Sequence, residues 1–193
     1  IMALFSGGAD PAVQGAIAIL RQLACFNQEN PHIEPIELGI GIHTGPLMLG
    51  IVGETKRLDG TAIGDTVNLA ARLEQLTKDY AAPLLVSQRT VEYLVNPDAY
   101  QIRRLGTVTV KGKSQVTTLY EVFDGDSEAL RAQKQQTLTT FAQAVQAYEQ
   151  QQWTEAIAGF QVCLTSCPED SVARRYCDRA QLARQHARLA AKS

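Results

Sequence analysis

Apolar positions recur along this chain with two periods, and the change between them divides it. Asp10-Pro11 has the form of a helix start, with Asp as N-cap and Pro in the first turn. Val13, Ala16, Ile17, Leu20 and Ala24 then repeat at helical spacing. Residues 27–35 are polar and predict a loop. Leu38, Ile40 and Ile42 alternate with Gly39, Gly41 and His43, which predicts a strand. The second face of that strand is nearly bare, so a neighbour should pack closely against it. Residues 47–52 predict a partner strand, and Asp59-Gly60 a turn. Asp65 should cap a helix running to about Lys78, with Leu69, Leu73 and Leu76 as its core stripe. A short strand follows at 83–86, then a short helix capped by Ser87 that ends before Pro97. Residues 100–110 and 115–123 are extended runs around Lys111-Gly112-Lys113-Ser114, the pattern of an antiparallel hairpin.

Beyond residue 123 the strand period disappears. Ser127 should cap a long helix to about Gln151, followed by helices near 153–166 and 169–191. Phe141, Val145 and Tyr148 mark one face of the first, and Trp153, Ile157, Phe160 and Leu164 one face of the second. Glycine usage changes at the same place: 12 of the 14 glycines lie in 1–123. The expected architecture is α+β over 1–123 with an all-α tail over 124–193. The opening run, Ile1-Met2-Ala3-Leu4-Phe5, reads as strand, and as the interior of a longer protein rather than its natural start.

Composition narrows the function classes. Apolar residues at 45% and charged residues at 20% exclude disorder for most of the chain. A net charge of −2 argues against a nucleic-acid footprint. No apolar run has the length of a membrane span and no secretory signal is visible, so a cytoplasmic location is expected. Cys25, Cys163, Cys167 and Cys177 form no CxxC pair and read as small buried residues. His32, His43 and His186 have no ligand spacing, and His43 reads as a strand residue near the core.

One pair carries a chemical signal. Asn68 and Arg72 stand one turn apart in the first two turns of the helix that begins at Asp65. An amide and a guanidinium at the positive end of a helix suit an oxyanion, and Arg offers forked donors to phosphate. Spacing alone fits a solvated polar face as well.

The surrounding string decides between the two. Gly39-Ile40-Gly41-Ile42-His43-Thr44-Gly45, then Gly50-Ile51-Val52-Gly53, then residues 57–73 from Arg57-Leu58-Asp59-Gly60-Thr61 through Asn68-Leu69-Ala70-Ala71-Arg72-Leu73, resemble the class III nucleotidyl cyclase catalytic domain. The resemblance covers about residues 1–123 and implies a ferredoxin-like sheet with helices, incomplete at its N-terminal side.

It also implies an activity, the conversion of ATP to 3′,5′-cyclic AMP and pyrophosphate at a head-to-tail homodimer interface, using Mg2+ or Mn2+. By position, Asn68 would orient the ribose and Arg72 would stabilise charge on the α-phosphate. Lys111 and Arg57 would reach the triphosphate. Thr61 falls where the family reads the base and implies adenine rather than guanine. The family's metal-binding Asp residues would precede Ile1. Asp59 and Asp65 do not replace them, since one reads as a turn residue and the other as a helix cap. The chain would then carry the transition-state half of a site and be inactive alone. The alternative is a non-catalytic cyclase-like module that dimerises or binds nucleotide. In the tail, Tyr148, Trp153, Ala156, Phe160, Cys163 and Pro168 resemble one tetratricopeptide-like helical hairpin. A single unit builds no solenoid, so its apolar face must dock on the α+β part, on a second copy or on another protein.

Overall fold

The computed structural model describes residues 1–54, 57–109 and 116–190, with only the backbone described for 51–54 and 57–61. Four strands form one sheet in the order β1-β4-β6-β5, where β1 is Ile40–Ile42, β4 Leu84–Ser87, β6 Val116–Val122 and β5 Ile102–Thr109. β1 runs parallel to β4, while β4–β6 and β6–β5 are antiparallel. The hairpin expected around residue 112 is β5–β6. Residues 110–115, including Lys111 and Lys113, lie outside the described residues.

Strands β2 (Met48–Glu54) and β3 (Arg57–Ile63) form a separate antiparallel ribbon. Two expectations are corrected here. Residues 47–52 do not pair with β1, whose neighbour is the distant β4. Asp59-Gly60 is not a turn either; it lies inside β3, opposite Val52 and Ile51.

Helix α1 (Asp10–Glu29) packs Val13, Ala16 and Ile17 against Leu84, Val86 and Val122 of the sheet. Its N-cap is Ala9, not Asp10. The Asp10 carboxylate instead accepts hydrogen bonds from the Val95 amide at 3.0 Å and the Tyr100 hydroxyl at 2.9 Å. The second half of α1 is largely exposed, so Cys25 and Ala24 are exposed against expectation. Residues 1–5 form no strand, because among the described residues none lies beside them to take their backbone hydrogen bonds.

Helix α2 (Asp65–Tyr80) crosses the opposite face of the sheet. Leu73 and Leu76 are buried beneath it and Leu69 is half-buried. Leu73 is fully enclosed, so Leu73→Ala would cost about 2–5 kcal/mol. The bare face of β1 has the expected explanation. A Cβ at Gly41 would lie 2.5 Å from the Ala70 carbonyl oxygen and 2.7 Å from the Leu73 carbonyl carbon. A Cβ at Gly39 would strike Thr77. The two glycines form a floor on which α2 rests.

Ser87 caps α3 (Gln88–Glu92), accepting from the Thr90 amide. Ser127 likewise caps α4 (Glu128–Gln136). The long helix expected to reach Gln151 is broken at Thr137, and α5 spans Leu138–Glu149. The Thr137 hydroxyl donates to the Lys134 carbonyl at 3.1 Å, competing with the helical backbone pattern. Helices α6 (Trp153–Ser166) and α7 (Ser171–Ala190) complete the tail.

The tail docks on the α+β part rather than standing apart. Phe141, Phe160 and Tyr176 join Leu73, Leu105 and Leu119 in one continuous apolar cluster. Beside it lies a buried charge network. Arg103 of β5 bonds Glu121 of β6 at 2.5 Å and grips Asp170, before α7, through two nitrogens at 2.6 and 2.8 Å. Lys134 of α4 reaches Glu121 at 2.9 Å and Asp126 at 2.6 Å. Burial pulls the Arg103 and Lys134 pKa values down, but the carboxylates around them outweigh it and raise both. The Tyr176 hydroxyl donates to the Leu105 carbonyl, and the Thr107 amide donates to Glu149 at 3.0 Å. Side chains of the tail thereby cover the outer edge of β5, which an open sheet would leave unpaired. No helix among the described residues is long and apolar enough to cross a membrane.

Candidate functional site on helix α2

The start of α2 is set by its neighbours. Gly64 is its N-cap with φ at 152°, a conformation open to glycine, and it turns the chain sharply out of β3. Asp65, expected as the cap, is instead the first helical residue. The buried Thr66 donates from Oγ1 to the Pro46 carbonyl at 2.5 Å, tying the first turn of α2 to the loop after β1. That loop is held in turn by hydroxyl groups. His43 Nδ1 lies 2.7 Å from Ser87 Oγ, and the Thr90 hydroxyl donates to the Ile42 carbonyl at 3.2 Å. Burial, with a smaller contribution from the Arg89 charge, lowers the His43 pKa from its ordinary 6.5. The ring is therefore neutral near pH 7, and it sits just past β1 rather than inside it.

On this base, Asn68 and Arg72 both point outward and are exposed. The Arg72 Nη1 donates to Gln75 on the next turn at 3.3 Å, and among the described residues no carboxylate pairs with it. Among the described residues its remaining donors meet no anion, and it stands two turns from a helix N-terminus whose dipole favours negative charge. The ribbon that leads into α2 exposes Met48, Leu49 and Ile63, and Met48 is the cross-strand partner of Ile63. Ile63 directly precedes the Gly64 N-cap, so uncovered apolar surface adjoins the start of α2 along the chain.

The other expected residues are placed only in part. Arg57 and Thr61 are strand positions of β3, at registers opposite Glu54 and Gly50, and their side chains lie outside the described residues. Lys111 lies wholly outside them. Among the described residues no group of three or more His, Cys, Asp or Glu side chains could hold a metal ion. Cys163 and Cys167 are buried thiols, and burial raises the pKa of both, Cys163 to about 11.

The buried charge network was not anticipated, although a signal existed. Strand alternation puts Arg103 in phase with the inward Leu105, and Glu121 in phase with Leu119 and Phe123. One charge at an inward position of each hairpin strand, directly opposite each other, is the mark of a buried pair.

Comparison with known proteins bears on the same segment. Residues 9–122 match the family described as the adenylate and guanylate cyclase catalytic domain. The chain is 37% identical over 185 residues to a terminal-differentiation-specific adenylate cyclase of Dictyostelium discoideum, covering 93% of this chain and 9% of that protein. Similarity on that scale extends through the helical tail. The chain is also 41% identical over 130 residues to an adenylate cyclase of Anabaena cylindrica, covering 63% of this chain and 26% of that protein. Relatives named guanylate cyclase match as well. The crystal structure of the adenylyl cyclase CyaB from P. aeruginosa superposes with a TM-score of 0.52 at 32% identity, covering 62% of this chain and 60% of that one. The chain spans only about a tenth to a quarter of the length of these two curated relatives. The sheet, the glycine floor under α2 and the matched residues lead to one family: the chain belongs to the adenylate and guanylate cyclase catalytic domains.

Proposed function

We propose that this chain is part of an adenylate cyclase that converts ATP to 3′,5′-cyclic AMP and pyrophosphate between two copies of the protein. The observation that carries this reading is the outward face of α2, where Asn68 and an Arg72 without a carboxylate partner among the described residues are exposed on the helix that follows a ribbon with exposed apolar side chains. A buried, saturated pair would serve the fold. An exposed pair with spare donors, on a helix that follows uncovered apolar surface, suits a nucleotide held against a second copy.

In the reaction, the ribose 3′-oxygen gives its proton to solvent and bonds to the α-phosphorus, and the bond to pyrophosphate breaks with its electron pair leaving on the pyrophosphate oxygen. Asn68 donates to or accepts from the ribose and so directs the 3′-oxygen. Arg72 places forked donors where the α-phosphate gains negative charge in the transition state, the kind of stabilisation that lowers barriers most. Arg57 and Lys111 neutralise the terminal phosphates. Thr61 accepts from the adenine amino group through its hydroxyl. Mg2+ or Mn2+ belongs to the reading as a cofactor, and among the described residues no group of three or more His, Cys, Asp or Glu side chains forms its site.

The test is production of cyclic AMP by the intact protein supplied with ATP or GTP and with Mg2+ or Mn2+. Cyclic AMP from ATP, with Thr61→Cys weakening the ATP preference, is the expected result. ATP binding without turnover would instead identify a non-catalytic nucleotide-binding module. Leu49→Asp, which puts a charge on the exposed ribbon, should weaken self-association in sedimentation and lower turnover with it; a fully active monomer would remove the second copy from the site.

A further inference from the structure

We propose that Arg179, assisted by Ser171, is a positioning residue for the cyclase site: it holds the far end of α2 and thereby sets where Asn68 and Arg72 stand. The inference rests on the reading of α2 given above. The last carbonyls of a helix have no partners within it and need donors from elsewhere. At the end of α2 two come from the tail. Arg179 Nη2 donates to the Asp79 carbonyl at 2.7 Å, and Ser171 Oγ donates to the Ala81 carbonyl at 2.9 Å. The guanidinium also lies over the Tyr80 ring, 5.1 Å from its centroid, so a positive charge meets the negative end of the helix dipole. Ala81 adopts a left-handed conformation with φ at 54°, unusual for a residue with a Cβ, and Ser171 grips its carbonyl.

The holder is itself anchored. Asp170 bonds the Ala173 amide at 3.1 Å and so caps α7, while both of its oxygens take the buried Arg103 of β5. Tyr176 packs edge-on against Tyr80 with centroids 5.8 Å apart, and its hydroxyl bonds the Leu105 carbonyl. Helix α7 therefore bridges β5 to the end of α2. The glycine floor fixes the height of α2 above the sheet, and α7 fixes its angle across it. Arg72 and Asp79 are seven residues apart, about 10 Å along the axis, so a swing at one is felt at the other. A displacement of about 1 Å at reacting groups costs roughly 100-fold in rate. Arg179 is half-buried and its bond lies near solvent, so losing it should cost folding little, and its effect should be read in the placement of α2 instead.

The experiment measures kcat and KM for ATP with Mn2+, together with the thermal midpoint, in the intact protein and its variants. Arg179→Ala should lower kcat about five- to twenty-fold with KM within about two-fold and an unchanged midpoint, a modest fraction of the loss expected from a full misplacement. Arg179→Lys, which keeps a donor and a charge, should recover most of it. Ser171→Ala, which removes one exposed hydroxyl, should shift kcat in the same direction by less. Unchanged kcat in both alanine variants overturns the proposal, as does a fall in kcat that follows a fall in midpoint and is not rescued by lysine. Arg72→Ala serves as the separating control. If it is inactive while Arg179→Ala is normal, only the brace is wrong. If Arg72→Ala keeps full turnover, the reading of the α2 face fails first and the brace with it.

Discussion

Arg103 and Arg72 are both guanidinium groups on regular elements, and they meet opposite surroundings. Arg103 is 4% exposed, bonded to Glu121 and Asp170, and lies 4.0 Å from the centroid of the Phe141 ring. Arg72 is exposed and bonded to one neutral amide. The first has its donors consumed inside the fold. Among the described residues, the second leaves most of them unused. The difference suggests a criterion for separating a charge that holds a protein together from a candidate for ligand binding: count the donors left over after folding.

Removing one partner of the buried set should have the largest effect. Asp170→Ala leaves Arg103 with a lone internal carboxylate and should destabilise the chain by about 3–5 kcal/mol in denaturant titration. A value near zero would place the network outside the stabilising core. Arg72→Ala should do the reverse, lowering kcat about 100- to 1,000-fold, with denaturation and ATP binding nearly unchanged. Equal loss in binding and turnover would deny it a transition-state role. Gly41→Ala sharpens the comparison from beneath, because its methyl must push into the backbone of α2. It should cost about 1–3 kcal/mol and also reduce turnover, since the helix bearing Arg72 has to lift. Smallest is the pH response of His43. Burial, then Arg89, lowers its pKa, so the ring resists protonation when folded and takes it up more readily when unfolded. Stability should therefore fall as pH drops through about 6.5 toward the folded value, and His43→Gln should flatten that slope in denaturation midpoints.

The parts of the fold governed by local pattern were legible in the sequence. The leucine stripe of α2, the hairpin of β5 and β6, and the caps Ser87 and Ser127 follow from periodicity and capping chemistry within a few residues. The bare face of β1 likewise announced a close neighbour, and α2 is that neighbour. What depends on distant pairing was not legible. The parallel match of β1 to β4 joins residues more than forty apart, and no local signal favours it over the adjacent run at residues 47–52. Asp59-Gly60 carries turn residues but is paired as strand across the ribbon. At Thr137 a single hydroxyl ends a helix whose apolar period continues past it. For the candidate site, Asn68 and Arg72 were singled out by spacing and resemblance, and both stand exposed on α2. The contacts of α7 with α2 were hidden, because Arg179 and Ser171 meet α2 only once the tail has docked.

The aromatic cluster gives this arrangement an optical handle. Trp153 is the sole tryptophan of the chain, and its ring stands edge-on to Tyr148, which in turn meets Tyr176. Emission excited selectively at indole wavelengths therefore originates entirely in the tail, so its intensity and colour follow the seating of α7 with no contribution from residues 1–123.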